Sequence, residues 1–247
     1  MSSRFLGVSG GLVAALWLVL PAGAHPLSHE VSVGGSTVGG SHLFYASDVN
    51  GVAFAVNNGT TTTPLSCGDV NLEGVANSGL DVDPFLEIKP VSRLNTPDGF
   101  DGSERKNCVG PFNLALTVVQ INDWEVHATG PATTAGTDLL PAYLSGPNNG
   151  PLYAHVYATP GGPSGTSCNF FVEGYADGTF NEATQTLNID ETGFSGDLTI
   201  VSAPGSCLGL ATVGSRVNAV SSFEIGDDDV ANVKGNITSN HPILLSP

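Results

Sequence analysis

Leu152-Tyr-Ala-His-Val-Tyr157 alternates between apolar and polar or aromatic side chains with a period of two, which is typical of a β-strand. The two faces of this strand would carry Leu152, Ala154 and Val156 on one side and Tyr153, His155 and Tyr157 on the other. Tyr and His side chains stack on sugars and on apolar molecules, so the second face is a candidate ligand surface. The alternative is that these residues only cover the solvent side of a sheet.

Similar short runs surround this strand. Strand candidates in the second half of the chain are residues 170–175, 186–189, 198–201 and 217–225. The most apolar run after the first 24 residues, 112–121, is expected to be a central strand. With 32 Gly, 16 Pro and almost no helical periodicity, the chain is predicted to be all-β. The expected architecture is an antiparallel β-sandwich, or two duplicated sandwich halves that are each closed by one disulfide.

A hairpin is predicted near the start of this all-β region. The apolar runs 43–45 and 52–56 flank Asn50-Gly51. Asn-Gly favours the type I′ turn that joins two paired antiparallel strands.

Cys67, Cys108, Cys168 and Cys207 are the four cysteines of the chain. An even number outside the cytoplasm indicates disulfides, and three pairings are possible. The first two cysteines are 41 residues apart and the last two 39. These matched separations favour Cys67–Cys108 and Cys168–Cys207, with one bridge in each copy of a duplicated unit. Zinc ligation and a redox motif are not expected, because no two cysteines are closely spaced.

The first 24 residues have the pattern of a cleaved secretory signal peptide. Arg4 precedes the apolar run 12–20, and Ala22-Gly23-Ala24 provides small residues at the cleavage site. The expected product is a secreted protein, extracellular or at the cell surface, with no membrane span after cleavage. The expected organisation is a signal peptide (1–24), a flexible N-terminal arm or edge strand (25–41), a first β half (42–130), a Gly/Pro-rich linker or surface loop (131–151) and a second β half (152–247).

The net charge is strongly negative, with 23 acidic residues against seven Lys and Arg, or −16 at pH 7. Loss of Arg4 with the signal peptide would make it one unit more negative. Such a charge repels nucleic acids and anionic lipid surfaces, so neither is an expected partner.

Catalytic and metal-binding patterns are weak. Ser164 lies in a Gly/Ser-rich loop without a Gly-x-Ser-x-Gly elbow, and nothing marks His155 or Asp177 as its partners. The acidic groups Asp81, Asp83 and Glu87, and residues 227–229, lack the spacing of a known calcium loop, so solvated turns are favoured. No catalytic residue, cofactor or metal ligand is therefore assigned.

A copper site is the sharpest enzymatic alternative. Signal cleavage would make His25 the amino terminus, where the terminal amine and the imidazole can chelate copper together with a second histidine. The candidates for that second ligand are His29, His42, His127 and His155.

Around the second cysteine pair the chain has Cys168, then the Gly-containing run 172–187, then Phe194-Ser-Gly, then Cys207. The first half has Cys67, Leu72-Glu-Gly and Cys108, followed by Asp123-Trp-Glu-Val. This order, over residues 42–225, resembles the secreted alkane-oxidation activator family, the PraA/PraB-like proteins of bacteria. The inserts 95–107 and 131–151 depart from the family's pattern.

The resemblance implies an exported surface-active protein, associated with hydrocarbon or polymer use or with the extracellular matrix of a biofilm, and not an enzyme. The first expectation is therefore a non-catalytic protein that acts at apolar surfaces, on an extracellular polymer or in assemblies of its own copies. A secreted module that binds carbohydrate or lipid is the second, and a copper-dependent oxidative enzyme the third.

Overall fold

The computed structural model describes residues 27–90, 104–158, 162, 164–165, 167–192, 197–226 and 242–246. The predicted signal peptide, His25, the acidic run 227–229 and most of the insert 95–107 lie outside these residues. The strands are β1 (His29–Val33), β2 (Gly40–Asp48), β3 (Val52–Asn57), β4 (Thr62–Val82), β5 (Leu86–Ile88), β6 (Glu104–Val109), β7 (Ala115–Gln120), β8 (Trp124–Ala128), β9 (Leu139–Ser145), β10 (Leu152–Ala158), β11 (Cys168–Gly174), β12 (Ala176–Asn181), β13 (Thr186–Glu191), β14 (Thr199–Ser206), β15 (Arg216–Ile225) and β16 (Ile243–Ser246).

The all-β prediction is confirmed, with 64% strand against 3% helix. Most strands form an antiparallel up-and-down meander in which several long strands are interrupted halfway. The eight positions around the meander are, in order, β2/β3, β4, β5/β6, β7/β8, β9/β10, β11/β12, β13/β14 and β15. Because β15 pairs back onto both β2 and β3, the sheet closes into an eight-stranded barrel.

The expected sandwich is thus corrected to a closed barrel. A sandwich has two separate sheets, whereas here hydrogen bonding between neighbours continues around the whole ring. The closing pair joins Val56 to Val217, which are far apart in the chain. Alternation along a strand reports which face is buried, but it does not report the partner of the last strand.

The predicted Asn50-Gly51 hairpin is also wrong. β2 and β3 do not pair with each other; both pair with β4 and β15, so they form one strand with a bulge at residues 48–51. The Asp48 carboxylate accepts the N–H groups of Gly51 and Val70 and holds the bulge. Gly51 has φ of 78°, and a Cβ there would lie 2.9 Å from the carbonyl oxygen of Cys67. Asn-Gly therefore supplies a bulge rather than a chain reversal.

The barrel has two halves along its axis. The upper half contains β3, β6, β7, β10, β11 and β14, with the first parts of β4 and β15. The lower half contains β2, β5, β8, β9, β12 and β13, with the remaining parts of β4 and β15. Both halves of the barrel thus draw strands from the segments 42–130 and 152–247, and residues 139–145 of the expected linker or loop form β9.

The lower half is filled by large side chains. Among the described residues, twelve large side chains are almost completely buried, and only Phe170 and Ile200 of these belong to upper-half strands. Phe85 and Phe180 pack with ring centroids 5.3 Å apart in the lower half. The others are Phe44, Leu86, Ile88, Leu140, Leu144, Leu187, Ile243 and Leu245.

The ribbon formed by β1 and β16 contributes to this lower core. β1 pairs with the end of β4 and with β16, so the expected flexible arm contains a strand between two others. Val31 and Leu245 are fully buried. Gln185, in the turn between β12 and β13, binds the backbone of Ile243 through both ends of its side-chain amide, with distances of 2.8 and 3.0 Å.

The apolar run 112–121 begins later as a strand than predicted. Residues 111–113 form a 3-10 turn, with Phe112 at φ of 58°, and β7 starts at Ala115. The Phe112 side chain is 85% exposed.

Candidate ligand cavity

The interior of the upper half is lined by apolar side chains of mixed size, among them many Val and Ala residues. The inward-facing positions of its strands include Val52, Val56, Ala154, Val156, Val217 and Ala219. These side chains leave an apolar cavity of about 100 Å³, which we call the upper cavity. Eight-stranded barrels have an interior that side chains can just fill or that can hold one small ligand. The cavity remains because Val and Ala occupy several of the inward-facing positions, although Leu116, Leu152 and Phe170 also line it.

The floor of the upper cavity lies where the two halves meet. Ile88 and Leu144 from the lower half line it, together with Trp124 at the start of β8. The Trp124 indole N–H donates to the Tyr153 carbonyl oxygen at 3.3 Å, which fixes the ring beside β10.

Solvent reaches the lining on one side. Phe54 and Leu65 face each other across β3 and β4, and both line the cavity while remaining only half-buried.

Both expected disulfides are present, and both lie in the upper half. Cys67–Cys108 joins β4 to β6 and lines the cavity, whereas Cys168–Cys207 joins the start of β11 to the turn after β14. Each bridge connects neighbouring strands of the ring. The bridges constrain the half of the barrel that has the fewest large buried side chains.

Two serines belong to the lining; Ser66 is exposed, whereas Ser221 places a buried hydroxyl among the apolar side chains. Ser221 lies on β15 between the inward-facing residues Ala219 and Phe223, and it is 7% exposed. Its Oγ has no hydrogen-bond partner among the described residues. The alternation of apolar residues in the sequence predicts this strand. The sequence does not distinguish Ser221 from other serines, because its position in the cavity wall depends on the fold.

The upper end of the barrel exposes apolar side chains on its loops. Phe112 and Leu208 are 85% and 80% exposed, and both have positive φ. Val213, in the segment that leads into β15, is also exposed. The turn that carries Leu208 is tied to the turn after β3, since Asn58 Nδ2 donates to the Gly209 carbonyl oxygen at 3.2 Å. A bulky apolar residue rarely adopts the left-handed backbone conformation, and both Phe112 and Leu208 adopt it.

The predicted aromatic face lies on the outside of the barrel, opposite the cavity-lining residues of β10. The His155 ring is buried; it stacks on Phe171 with centroids 4.0 Å apart, and its Nε2 lies 2.7 Å from Asn169 Oδ1. Tyr153 and Tyr157 flank it and are half-buried. Binding of a ligand to this face remains a prediction.

Asp83, His127 and Ser145 form a linear network that sequence reasoning did not bring together. His127 Nδ1 lies 2.7 Å from Asp83 Oδ1, and Nε2 lies 2.9 Å from Ser145 Oγ. Ser145 Oγ also lies 2.8 Å from the Gly146 carbonyl oxygen, which can accept its single hydroxyl hydrogen in place of the imidazole. Ser145 is also completely buried. The arrangement suits a structural network that joins β8, β9 and the turn before β5.

The remaining histidine candidates for copper are dispersed. His29 is buried on β1, and His42 on β2 contacts Ser78 Oγ at 2.9 Å. Together with His127 and His155, they lie on four different strands. Among the described residues, no group of three or more His, Cys, Asp or Glu side chains is arranged to hold a metal ion.

The acidic residues of the first predicted group have other contacts. Asp83 binds His127, and Glu87 forms an ion pair with Lys89. Burial alone would raise the pKa of Glu87, but hydrogen bonds from Lys89 and Asn77 bring it below the ordinary value. Asp81 is exposed.

Ser164 is exposed in its loop. His155 and Asp177, which no sequence feature marks as its partners, lie on strands of the upper half and the lower half respectively.

No protein-family model, curated protein or solved structure matches this chain. In the described part of the chain, none of the helical segments has the length and apolar character needed to cross a bilayer.

Proposed function

We propose that this chain is a secreted, non-catalytic protein that binds small apolar molecules in the upper cavity. The carrying observation is a volume of about 100 Å³ enclosed almost entirely by apolar side chains. Apolar ligands gain free energy from such a site because they leave water without losing hydrogen bonds. The two disulfides and the predicted signal peptide support a location outside the cytoplasm.

This proposal belongs to the second functional class expected from the sequence, a secreted lipid-binding module. A carbohydrate ligand is disfavoured for this cavity, since its many hydroxyl groups would lose hydrogen bonds with water and find few partners in the wall. The complete burial of Ser145 also favours a binding protein over a hydrolase.

The test is a titration of the protein with n-pentane and cyclopentane, followed by methyl chemical shifts of Val156 and Val217. We expect saturable shifts of these cavity methyl groups and a rise in the unfolding temperature with ligand concentration. Ala219→Leu should fill the cavity and abolish both effects. Ala53→Leu is the matched control, because Ala53 is exposed on the outer face of β3. Unchanged cavity methyl shifts at saturating ligand would overturn the proposal.

Adsorption to apolar interfaces is a second candidate function, carried by the exposure of Phe112 and Leu208 at one end of the barrel. Few charged residues interrupt the surface, since only 12% of the chain is charged. Contact with an oil or an uncharged polymer would therefore remove apolar surface from water without burying many charges.

Depletion from water by hexadecane droplets, at low and at high salt, tests this second function. Adsorption driven by apolar contacts should persist at high salt. Phe112→Ser with Leu208→Ser should reduce it several-fold. Val38→Ser with Leu80→Ser is the matched control, since these two residues are exposed outside the upper-end loops. Equal losses in both double variants would contradict adsorption through the upper end.

A further inference from the structure

The hydroxyl of Ser221 is an isolated polar group in the wall of the upper cavity. The residue is 7% exposed, and its Oγ has no hydrogen-bond partner among the described residues. In register across β13 and β15 it faces Ile189, another cavity-lining residue. A buried hydroxyl without a partner destabilises a folded protein, whereas alanine at the same place would not.

We infer that Ser221 Oγ is the hydrogen-bond partner of a ligand that has one uncharged polar atom on a small hydrocarbon body, such as a short-chain alcohol, aldehyde or ketone. This inference rests on the proposed function, and it narrows the ligand class. A serine hydroxyl can donate to a carbonyl oxygen or accept from a hydroxyl group, so it fits all three classes.

The polarity of the wall limits the ligand to about one polar atom. The side chains around the cavity are almost all apolar, and the residues that form its described lining include no Lys, Arg or His. A carboxylate would therefore lose its hydration without gaining an opposite charge, and a second hydroxyl group would find few partners.

The volume limits the length of the ligand. A cavity of roughly 150 Å³ lined by apolar side chains can hold a benzene molecule. The upper cavity, at about 100 Å³, is smaller. It therefore suits a body on the order of four or five carbon atoms.

The position of Ser221 also sets the orientation of the ligand. Ser221 lies further along β15 than Val217 and Ala219, on the side of the cavity nearer to the lower half. The polar atom would bind there, and the hydrocarbon body would extend along Ala219 toward Val56 and Val217.

The experiment compares ligands of similar size, 2-butanone, 1-butanol and n-pentane, on the purified full chain by chemical-shift titration of the cavity methyl groups. Ser221→Ala should weaken the binding of butanone and butanol about two- to tenfold, since one neutral hydrogen bond is lost. The binding of pentane should stay unchanged. Ser221→Thr keeps the hydroxyl and should restore the preference for the polar ligands.

Ser222→Ala is the matched control, because Ser222 is the next residue on β15 and donates to Asn188 Oδ1 at 2.7 Å away from the cavity. It should bind all three ligands as the unmodified protein does. If all three ligands bind and Ser221→Ala weakens none of them, the role of Ser221 is refuted while the proposed function stands. If none of the three binds, the proposed function fails as well.

Discussion

The two halves of the barrel share the same ring of eight positions, but they differ in what fills the ring. The lower half contains Phe44, Phe85 and Phe180 and is supplemented by the β1–β16 ribbon. The upper half has several Val and Ala residues at its inward-facing positions, beside larger ones such as Phe170, and it encloses a cavity. It is also the half that carries both disulfides. The comparison teaches that the size of the inward-facing side chains, rather than the number of strands, decides whether such a barrel is solid or hollow.

The largest expected effect is in the filled half. Phe180→Ala should lower the free energy of unfolding by about 3–5 kcal/mol, because a fully buried aromatic ring leaves a void beside Phe85. Urea denaturation measures this loss. Phe54→Ala, at a half-buried position of the cavity lining, should cost clearly less. Similar losses for the two variants would contradict the difference between the halves.

The disulfides should matter next. Replacing Cys67 and Cys108 together by alanine opens a loop with a separation of 41 residues and should cost about 2–4 kcal/mol. Hydrogen exchange should then increase more in β6 and β7 than in β8 and β9. Equal increases in all four strands would show that the bridge stabilises the barrel as a whole and not the hollow half.

Adding volume should affect the halves in opposite ways. Ala142→Val in the lower half should destabilise the protein by about 1–3 kcal/mol, because the packed core has no room for two extra methyl groups. Ala219→Val projects into the upper cavity and should be neutral or stabilising by less than about 1 kcal/mol. Thermal unfolding of the two variants in parallel distinguishes these outcomes, and a strongly destabilised Ala219→Val variant would mean that the cavity is not available space.

The smallest effect concerns charge near the junction of the halves. Partial desolvation and the negative charge of Asp197 raise the pKa of Asp177, and burial and the neighbouring acids raise that of Glu191. Their ionisation therefore opposes folding at neutral pH. This penalty is complete above the folded-state pKa values and disappears as the pH falls below the unfolded-state values, near 4.

Asp177→Asn should accordingly stabilise the protein at pH 7 by less than about 0.5 kcal/mol, because the side chain is exposed and solvent screens its charge. The same substitution should have almost no effect near pH 2.5, where the carboxyl group is protonated in both states. Denaturation curves at the two pH values provide the check. A larger stabilisation by Asp177→Asn at the lower pH would contradict the predicted direction of the effect.

The local part of the fold was predictable from the sequence, and the closure was not. Alternation along residues 152–157 correctly separates the side of β10 that lines the cavity from the outer side. The matched cysteine separations also indicate the observed bridges. The pairing of Val56 with Val217 has no local signature, because it depends on the summed twist and tilt of all the intervening strands.

The candidate cavity was harder to predict than the strands. Ser221 is one inward residue in the alternating run 217–225, and its lack of a partner depends on side chains from several distant strands. The network of Asp83, His127 and Ser145 likewise joins positions that no short motif connects. Asn50-Gly51 led to a wrong hairpin prediction because the positive φ of Gly51 is compatible with a bulge as well as with a hairpin turn.

The closure of the ring also has a consequence for how the protein is made. β2 and β3 can pair with β4 once residues 58–61 have formed a turn and β4 has been synthesised. Their second neighbour is β15, so that pairing must wait until residues 216–225 have been synthesised. A nascent chain therefore carries an unpaired strand edge through most of its translation, and such edges invite pairing with other chains. Nearly the whole polypeptide must therefore be synthesised before the barrel can close.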